Sequence, residues 1–221
     1  MFALLAVPSL ADLAASYSVK GTNSDGSTYT GTAKITAAGQ VYHLDFVAGD
    51  GSKLSGVVLQ YQNFLALAEI DNNGDGDLAL YQQAGDGWAG IFTGYGDNDL
   101  AAEVMYINNA AGLPDPSQSK PDQIAGTYLL SGTNPDGSTY TGEVELTVDT
   151  GTLDVDRTIG SEELTGTAIA FGGAFAMNIS TDDNAATIGV VGLFIPQNGG
   201  FLGVWAKAGS QKLGAERWVR K

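Results

Sequence analysis

The stretch at residues 132–142, GTNPDGSTYTG, occurs twice in this chain of 221 residues. The earlier copy at residues 21–31 reads GTNSDGSTYTG and differs only in having Ser24 in place of Pro135. Asn, Asp, Gly and Ser are turn-forming residues, whereas Thr and Tyr favour strands, so each copy predicts a tight hairpin between two strands. The chain is therefore a tandem duplication, and its repeats of roughly 95 residues have the size of small domains.

Short runs of alternating apolar and polar residues surround each hairpin. In one run, Tyr42, Leu44 and Phe46 alternate with His43 and Asp45. Gly, Asp, Asn or Ser bounds each run, and no run has the 3.6-residue period of a helix. With about eight strands per repeat at roughly twelve-residue spacing, the pattern predicts two tandem antiparallel up-and-down eight-stranded β-barrels, or alternatively two β-sandwiches.

Glycines inside the predicted strands favour the barrel. A glycine weakens a strand unless another group approaches closely or the strand must bend, and strands of a small closed barrel do bend. The glycines match between the repeats: Gly31, Gly56 and Gly90 in the first, and Gly142, Gly166 and Gly203 in the second.

The repeats set the predicted domain boundaries. Residues 16–107 form the first barrel repeat and residues 125–221 the second, and residues 108–124, with three of the chain's 6 prolines, form a semi-rigid linker. Residues 1–15 have the apolar run and small residues of a signal-peptide remnant, the alternative being an N-terminal segment packed on the first barrel. The signal interpretation predicts a periplasmic or secreted protein.

Composition excludes several classes of function. A net charge of −15 argues against nucleic-acid binding, which needs clustered Lys and Arg. No stretch reaches the roughly 18 apolar residues that span a bilayer, so we expect no membrane insertion. The absence of cysteine excludes disulfides and thiolate metal sites, and no phosphate-binding or dinucleotide-binding motif is present. We therefore expect no cofactor and no catalytic residues.

Aromatic residues near the hairpins and strand glycines are the candidate ligand-binding residues. They flank a glycine at two-residue spacing or stand near the ends of strands, where they either fill a core or line the mouth of a barrel. The candidates are Tyr29, Tyr42, Trp88 and Phe92 in the first repeat, and Tyr140, Phe201 and Trp205 in the second.

Acidic residues provide two weaker candidates. Asp71, Asn73, Asp75 and Asp77 match the first half of a calcium-binding loop, but the bidentate Glu of that motif is absent, so an acidic hairpin is the other interpretation. Glu103 and its counterpart Glu216 either pair with a base inside a barrel or face solvent. The single histidine, His43, has no partner motif for a catalytic triad and is predicted to face solvent.

The spacing of Tyr17, Val19, residues 21–27, Tyr29 and Gly31, repeated from Tyr128, resembles that of small exported bacterial proteins of uncharacterised function, some loosely labelled fibronectin-binding. This resemblance implies no activity. The predicted eight-stranded meander also resembles avidin-like and lipocalin-like barrels, although no set of residues matches the avidin biotin site. In the second repeat Arg157 stands where Phe46 would be, which predicts that the second barrel is filled differently.

These observations favour an exported, non-catalytic binding protein that takes a small apolar molecule or a protein surface at its barrel mouths. Two other functions stay open. One is a structural or interaction module of the cell envelope, in which two linked surfaces give avidity. The other is a hydrolase that uses carboxylates inside a barrel, for which two inward acids with raised pKa values would be the structural sign.

Overall fold

The computed structural model describes residues 13–180 and 188–221. The first repeat forms the strands β1 Ser16–Thr22, β2 Thr28–Ala38, β3 Val41–Ala48, β4 Lys53–Tyr61, β5 Phe64–Ile70, β6 Gly76–Ala84, β7 Gly87–Gly94 and β8 Ala101–Tyr106. The second forms β9 Gly126–Thr133, β10 Thr139–Asp149, β11 Thr152–Ile159, β12 Glu162–Phe171, β13 Ala174–Ser180, β14 Val190–Gln197, β15 Gly200–Lys207 and β16 Gly214–Arg220.

Each repeat closes into its own antiparallel barrel. In barrel 1 (β1–β8) every strand pairs with the next, and β8 returns to β1 with Glu103 opposite Gly21. In barrel 2 (β9–β16) the closing pair places Glu216 opposite Gly132. The prediction of two tandem eight-stranded barrels is confirmed, and the sandwich alternative is wrong because closure leaves neither sheet with a free edge.

The repeated stretch is the first hairpin of each barrel, as its composition predicts. The backbone N–H of Asn23 donates to the carbonyl of Ser27 at 2.8 Å, and the N–H of Ser27 donates to the Asp25 carboxylate at 2.8 Å. Gly26 adopts a φ of 84°, which an L-residue rarely takes. The second copy has the same turn bonds.

Alternate side chains of the strands point into each barrel and form its core. Leu13 caps the core of barrel 1, and Tyr17 donates to its carbonyl at 3.0 Å. Ile124 and Tyr128 repeat this contact in barrel 2 at 2.6 Å. Residues 13–15 therefore belong to barrel 1, earlier than the predicted boundary at Ser16. The rest of the signal-peptide prediction, residues 1–12, lies outside the described residues.

A third apolar core lies between the two barrels. Strands β4–β7 of barrel 1 pack their outer faces against β12–β15 of barrel 2, and their side chains form one buried cluster. Strands with a core on both sides must be apolar on both sides, which explains why the runs around Leu65 and Ala176 do not alternate. The two barrels therefore share a buried interface, in addition to the linker that joins them.

The interface has a pseudo-two-fold arrangement. The N–H of Gln40, in the β2–β3 turn, donates to the carbonyl of Gln211 in the β15–β16 connection at 2.8 Å. The counterpart bond runs from Gly151 in the β10–β11 turn to Asn98 in the β7–β8 connection at 3.3 Å. Equivalent elements thus meet in both directions, as at the self-complementary interface of a two-fold homodimer.

The linker contains a short 3₁₀ helix at Pro116–Gln118 and one short α-helix, α1 Pro121–Ile124. Pro121 and Ile124 are buried, so α1 belongs structurally to barrel 2, whereas residues 109–113 are largely exposed. No helix among the described residues is long and apolar enough to span a membrane.

The barrels should stay together when the linker is cut. A protease recognition site replacing residues 109–112 should yield, after complete cleavage, two fragments that co-elute at the mass of the intact chain, because the buried interface holds them. Size-exclusion chromatography with light scattering measures this. Adding Ala66→Glu, which buries an unpaired charge between the barrels, should separate the fragments, whereas Val47→Glu on an exposed face should not. Separation of the unsubstituted fragments would contradict the interface.

Candidate functional site

The predicted ligand-binding aromatics lie at opposite ends of the barrels. We define the mouth of each barrel as the end that carries its GTN hairpin. Tyr29 and Phe92 meet edge to face at the mouth of barrel 1, with ring centroids 6.1 Å apart. The mouth of barrel 2 has Tyr140 and Trp205 at 6.4 Å. The remaining candidates, Tyr42, Trp88 and Phe201, are buried core residues near the other end of their barrels.

Strand glycines make room for the tyrosines at the mouth of barrel 1. A methyl group at Gly21 would lie 2.3 Å from the Cζ atom of Tyr29, and one at Gly90 would lie 2.5 Å from a ring carbon of Tyr81. Either substitution would displace the ring, so these glycines allow the close approach that the sequence predicts. Both phenol rings consequently lie across the inside of the barrel wall.

The two tyrosine hydroxyls converge on one buried carboxylate. Tyr29 donates to Oε2 of Glu103 and Tyr81 donates to Oε1, each at 2.5 Å. Glu103 is only 8% exposed, and burial raises its pKa to about 7, although the two hydroxyls favour the ionised form. A nearby negative charge on Asp77 raises it further. The carboxylate is hydrogen-bonded, and no basic side chain of the described residues forms an ion pair with it.

Two more acids face the same interior. Glu69 and Asp77 are cross-strand partners on β5 and β6, and neither forms an ion pair within the described part of the chain. Burial raises the pKa of Asp77 to about 6, and burial together with Glu103 and Asp77 raises that of Glu69. Glu69 is half-buried as a residue, but its Oε2 atom is shielded from solvent and has no hydrogen-bond partner.

The rim adds a third tyrosine. Tyr95, just beyond the end of β7, has a buried hydroxyl without a hydrogen-bond partner. Burial raises its pKa, as does the negative charge of Asp77 and Glu69. We call Glu69, Asp77, Glu103 and these tyrosines together the acidic mouth, a site rich in acceptors in which residues 13–180 and 188–221 place no paired cation.

Barrel 2 carries a counterion where barrel 1 has none. Arg157 forms a buried ion pair with Oε1 of Glu216, the counterpart of Glu103. Tyr140, the counterpart of Tyr29, donates to the same carboxylate, and Trp218 donates from its indole N–H at 2.8 Å. The sequence prediction that barrel 2 is filled differently at Arg157 is therefore confirmed.

Strand pairing shows how far the two mouths have diverged. Gly56 lies opposite Glu69 in barrel 1, whereas its counterpart Gly166 lies opposite Ile179 in barrel 2. By the same register Val190 replaces Asp77 and Phe194 replaces Tyr81. Barrel 2 thus has two fewer acids and one more arginine at these positions, so the acidic mouth is a feature of barrel 1.

The predicted calcium ligands are not brought together. Asp71 uses its carboxylate to accept from the N–H groups of Asn73, at 2.7 Å, and of Asp75, at 3.0 Å, within the β5–β6 turn. Asp77 instead faces the barrel interior. Within residues 13–180 and 188–221, no three acids, histidines or cysteines are arranged to hold a metal ion. His43 is exposed and lies 3.2 Å from Asp45.

Two grooves are present away from the mouth aromatics. One of about 430 Å³ lies between the barrels and includes Val57, Ile188 and, of the predicted residues, Tyr42. One of about 400 Å³ lies on the outside of barrel 2 near Leu129. Neither is lined by Tyr29 or Phe92, so an aromatic-lined cavity at the mouth stays a prediction. The exposed large hydrophobic residues of the described chain are aliphatic, and they do not form the aromatic patch expected of an interaction module.

The sequence alone missed Glu69 and Tyr81 as members of the site. A comparison of the two repeats could have found them, because Glu69 aligns with an aliphatic residue of the second repeat and Tyr81 aligns with a phenylalanine. The alignment of β6 with β14 becomes certain only when the strand register is known, because the second repeat slips at its turns.

Comparisons of the chain with protein families, with curated proteins and with solved structures found no match.

The two matched glutamates should respond oppositely to neutralisation. Glu103→Gln should raise the free energy of unfolding at pH 8 by about 1–3 kcal/mol, because it removes a buried charge without a counterion. Glu216→Gln should lower it by about 3–5 kcal/mol, because Arg157 is left buried and unpaired. Urea unfolding monitored by tryptophan fluorescence measures both changes.

The pH dependence of the free energy of unfolding should show that the Glu103 carboxylate causes the gain in stability. Its folded pKa of about 7 exceeds the ordinary value of 4.5, so the folded state binds more protons than the unfolded state between those values. Glu103 therefore lowers stability progressively as the pH rises through this window. The gain from Glu103→Gln should vanish at pH 4.5, and a gain that is equal at pH 4.5 and pH 8 would contradict the assignment.

Proposed function

We propose that this protein is an exported, non-catalytic binding protein that holds a small organic cation at the mouth of barrel 1. The observation that carries the proposal is the contrast between two equivalent carboxylates. Glu216 is paired with the guanidinium of Arg157, whereas Glu103 has two further acids beside it and no ion-pair partner among the described residues. A ligand cation would supply in barrel 1 what Arg157 supplies in barrel 2.

Electrostatics supports a cation in particular. Like charges close together in a partly desolvated site raise one another's pKa values, and each ionised group destabilises the others. A bound cation would attract the ionised forms of Glu69, Asp77 and Glu103 and so offset the repulsion between them. The orphan Oε2 atom of Glu69 would also gain a hydrogen-bond donor.

An organic cation suits the surroundings better than a metal ion. The three carboxylates are not arranged around a common centre, and the rings of Tyr29 and Phe92 are half-buried beside them. An aromatic face attracts an organic cation and packs against its carbon atoms. The ligand is thus cationic with an apolar part, rather than the purely apolar molecule that the aromatic residues alone predict.

Binding should depend on the ionised acids. Butylammonium should bind the wild-type protein at pH 8 and at least tenfold more weakly at pH 5, where Asp77 and Glu103, with pKa values of about 6 and 7, are protonated. Isothermal titration calorimetry at fixed ionic strength measures both affinities.

Variants locate that binding. Glu69→Gln and Asp77→Asn should each weaken binding at pH 8, whereas Asp122→Asn, an exposed acid on α1, should leave it unchanged. Equal binding of butylammonium by all three variants would place the cation elsewhere on this acidic protein. An absence of binding by the wild-type chain, including no shift in its melting temperature, would refute the proposal.

A hydrolase is the second candidate, and the raised pKa values favour it specifically. A carboxyl group with a pKa of about 7 is protonated often enough at neutral pH to act as a general acid, and Asp77, whose pKa of about 6 is lower, would then act as the base. Turnover of 4-nitrophenyl glycosides or esters that disappears in Glu103→Gln would support this function. The binding proposal predicts no turnover of either substrate class.

A further inference from the structure

We propose that the groove between the two barrels binds a small aromatic molecule of the phenol class. The groove has a volume of about 430 Å³, with one wall from the outer face of β3 and β4 and the other from Ile188 and the β15–β16 connection. Glu69, Asp77 and Glu103 do not line it, so it is separate from the acidic mouth. The observation that carries the proposal is the occupant of the equivalent place at the other end of the pseudo-two-fold interface.

Ala208 in the groove is the structural equivalent of Tyr95. Each residue directly follows the seventh strand of its barrel. The backbone N–H of Tyr95 donates to the carbonyl of Gly76 at 2.8 Å, and that of Ala208 donates to the carbonyl of Gly189 at 2.9 Å. Their surroundings also correspond, because β4 packs against β14 and β15 while its counterpart β12 packs against β6 and β7.

The ring of Tyr95 fills its end of the interface. Gly76 shares the outer face of β6 with Leu78 and Leu80, which belong to the apolar core between the barrels. A methyl group at Gly76 would lie 2.8 Å from a ring carbon of Tyr95, so the ring lies directly over this glycine. Tyr95 packs against the same apolar core. A phenol group therefore covers the core at this end.

The corresponding place beside Ala208 is open. The side chain of Ala208 is a single methyl group, and the next residue, Gly209, has no side chain. Both residues line the groove and are exposed, whereas Tyr95 is half-buried. The groove is therefore the place that a phenol ring occupies at the other end, and no side chain of the described residues fills it.

The lining of the groove suits a phenol. Val57, Ile70 and Ile188 provide apolar surface for a ring, and His43 and Gln211 carry groups that can hydrogen-bond a hydroxyl. No acidic, lysine or arginine side chain of residues 13–180 and 188–221 lines the groove, so it offers no counterion to a charged ligand. An uncharged aromatic ring that carries a hydroxyl matches both parts of this lining.

The size and position of the groove favour a free molecule over a protein partner. Small-molecule pockets commonly have volumes of roughly 300–1,000 Å³ and often lie between domains, as this groove does. A stable protein partner contacts about 20–30 residues on each side, which is more than line this groove. We therefore expect a ligand with the size of two fused rings.

Binding of 2-naphthol to the full-length protein tests this inference. His43 is the only histidine of the chain and lines the groove, so its ring protons report on the site alone. We expect saturable binding at pH 7, with nuclear Overhauser effects between the naphthol and the His43 ring. An absence of binding, or binding without contact to His43, overturns the inference.

A substitution that copies Tyr95 provides an independent test. Ala208→Tyr should fill the groove and reduce the affinity for 2-naphthol at least tenfold. Ala110→Tyr, the same change at an exposed linker residue, is the control that should retain binding. Full affinity in a folded Ala208→Tyr protein, or an equal loss in both variants, overturns the inference. If Ala208→Tyr fails to fold, contact between naphthol and His43 in the wild-type protein decides it.

Two further ligands test the chemical class and its source. Decahydro-2-naphthol keeps the carbon skeleton and the hydroxyl but has no aromatic ring, and acetyl-Gly-Tyr-Gly-amide presents a phenol on a polypeptide. We expect each to bind at least threefold more weakly than 2-naphthol. A smaller or reversed difference overturns the aromatic class in the case of the saturated alcohol, and the free molecule in the case of the peptide.

Discussion

A buried glutamate in the last strand of each barrel is the constraint around which both interiors are arranged. An ionised carboxylate out of water is costly unless hydrogen bonds and a positive charge offset the lost hydration. Barrel 2 meets this requirement within the chain, through Arg157, Tyr140 and Trp218. In barrel 1 two tyrosine hydroxyls supply the hydrogen bonds, but the neighbouring ionisable groups are further acids rather than a positive charge. The same scaffold thus has one self-contained mouth and one mouth that lacks a cation.

The duplication explains how such divergence is tolerated. The barrels share a buried interface whose contacts repeat about a pseudo-two-fold axis, so each barrel stabilises the other. A self-complementary interface of this kind is what two identical subunits would form, and the linker joins them covalently. Because barrel 2 has its own buried ion pair, the stability of the two joined barrels offsets the repulsion between the acids at the mouth of barrel 1.

Much of the fold follows from the sequence because its signals are local. The GTN hairpins, the period-two runs and the strand glycines each report on neighbouring residues, and all of them are confirmed by the two barrels. The interface was not predicted, although the runs around Leu65 and Ala176 are apolar on both faces, because sequence alone does not show what covers an outer face. The site was predicted only in part. Tyr29, Phe92 and the matched Glu103 and Glu216 stood out, but the convergence of Glu69, Asp77 and Tyr81 on Glu103 depends on strand register.

The proposed function requires that a bound cation supplies the counterion of the Glu103 carboxylate. Carbon-13 NMR of the glutamate side-chain carboxyls, titrated from pH 4 to pH 9 with and without saturating butylammonium, tests this most directly. We expect Glu103 to titrate with a pKa of about 7 in the free protein and at a distinctly lower pH in the complex. A Glu103 that titrates in the ordinary glutamate range, and does not respond to the cation, would contradict it.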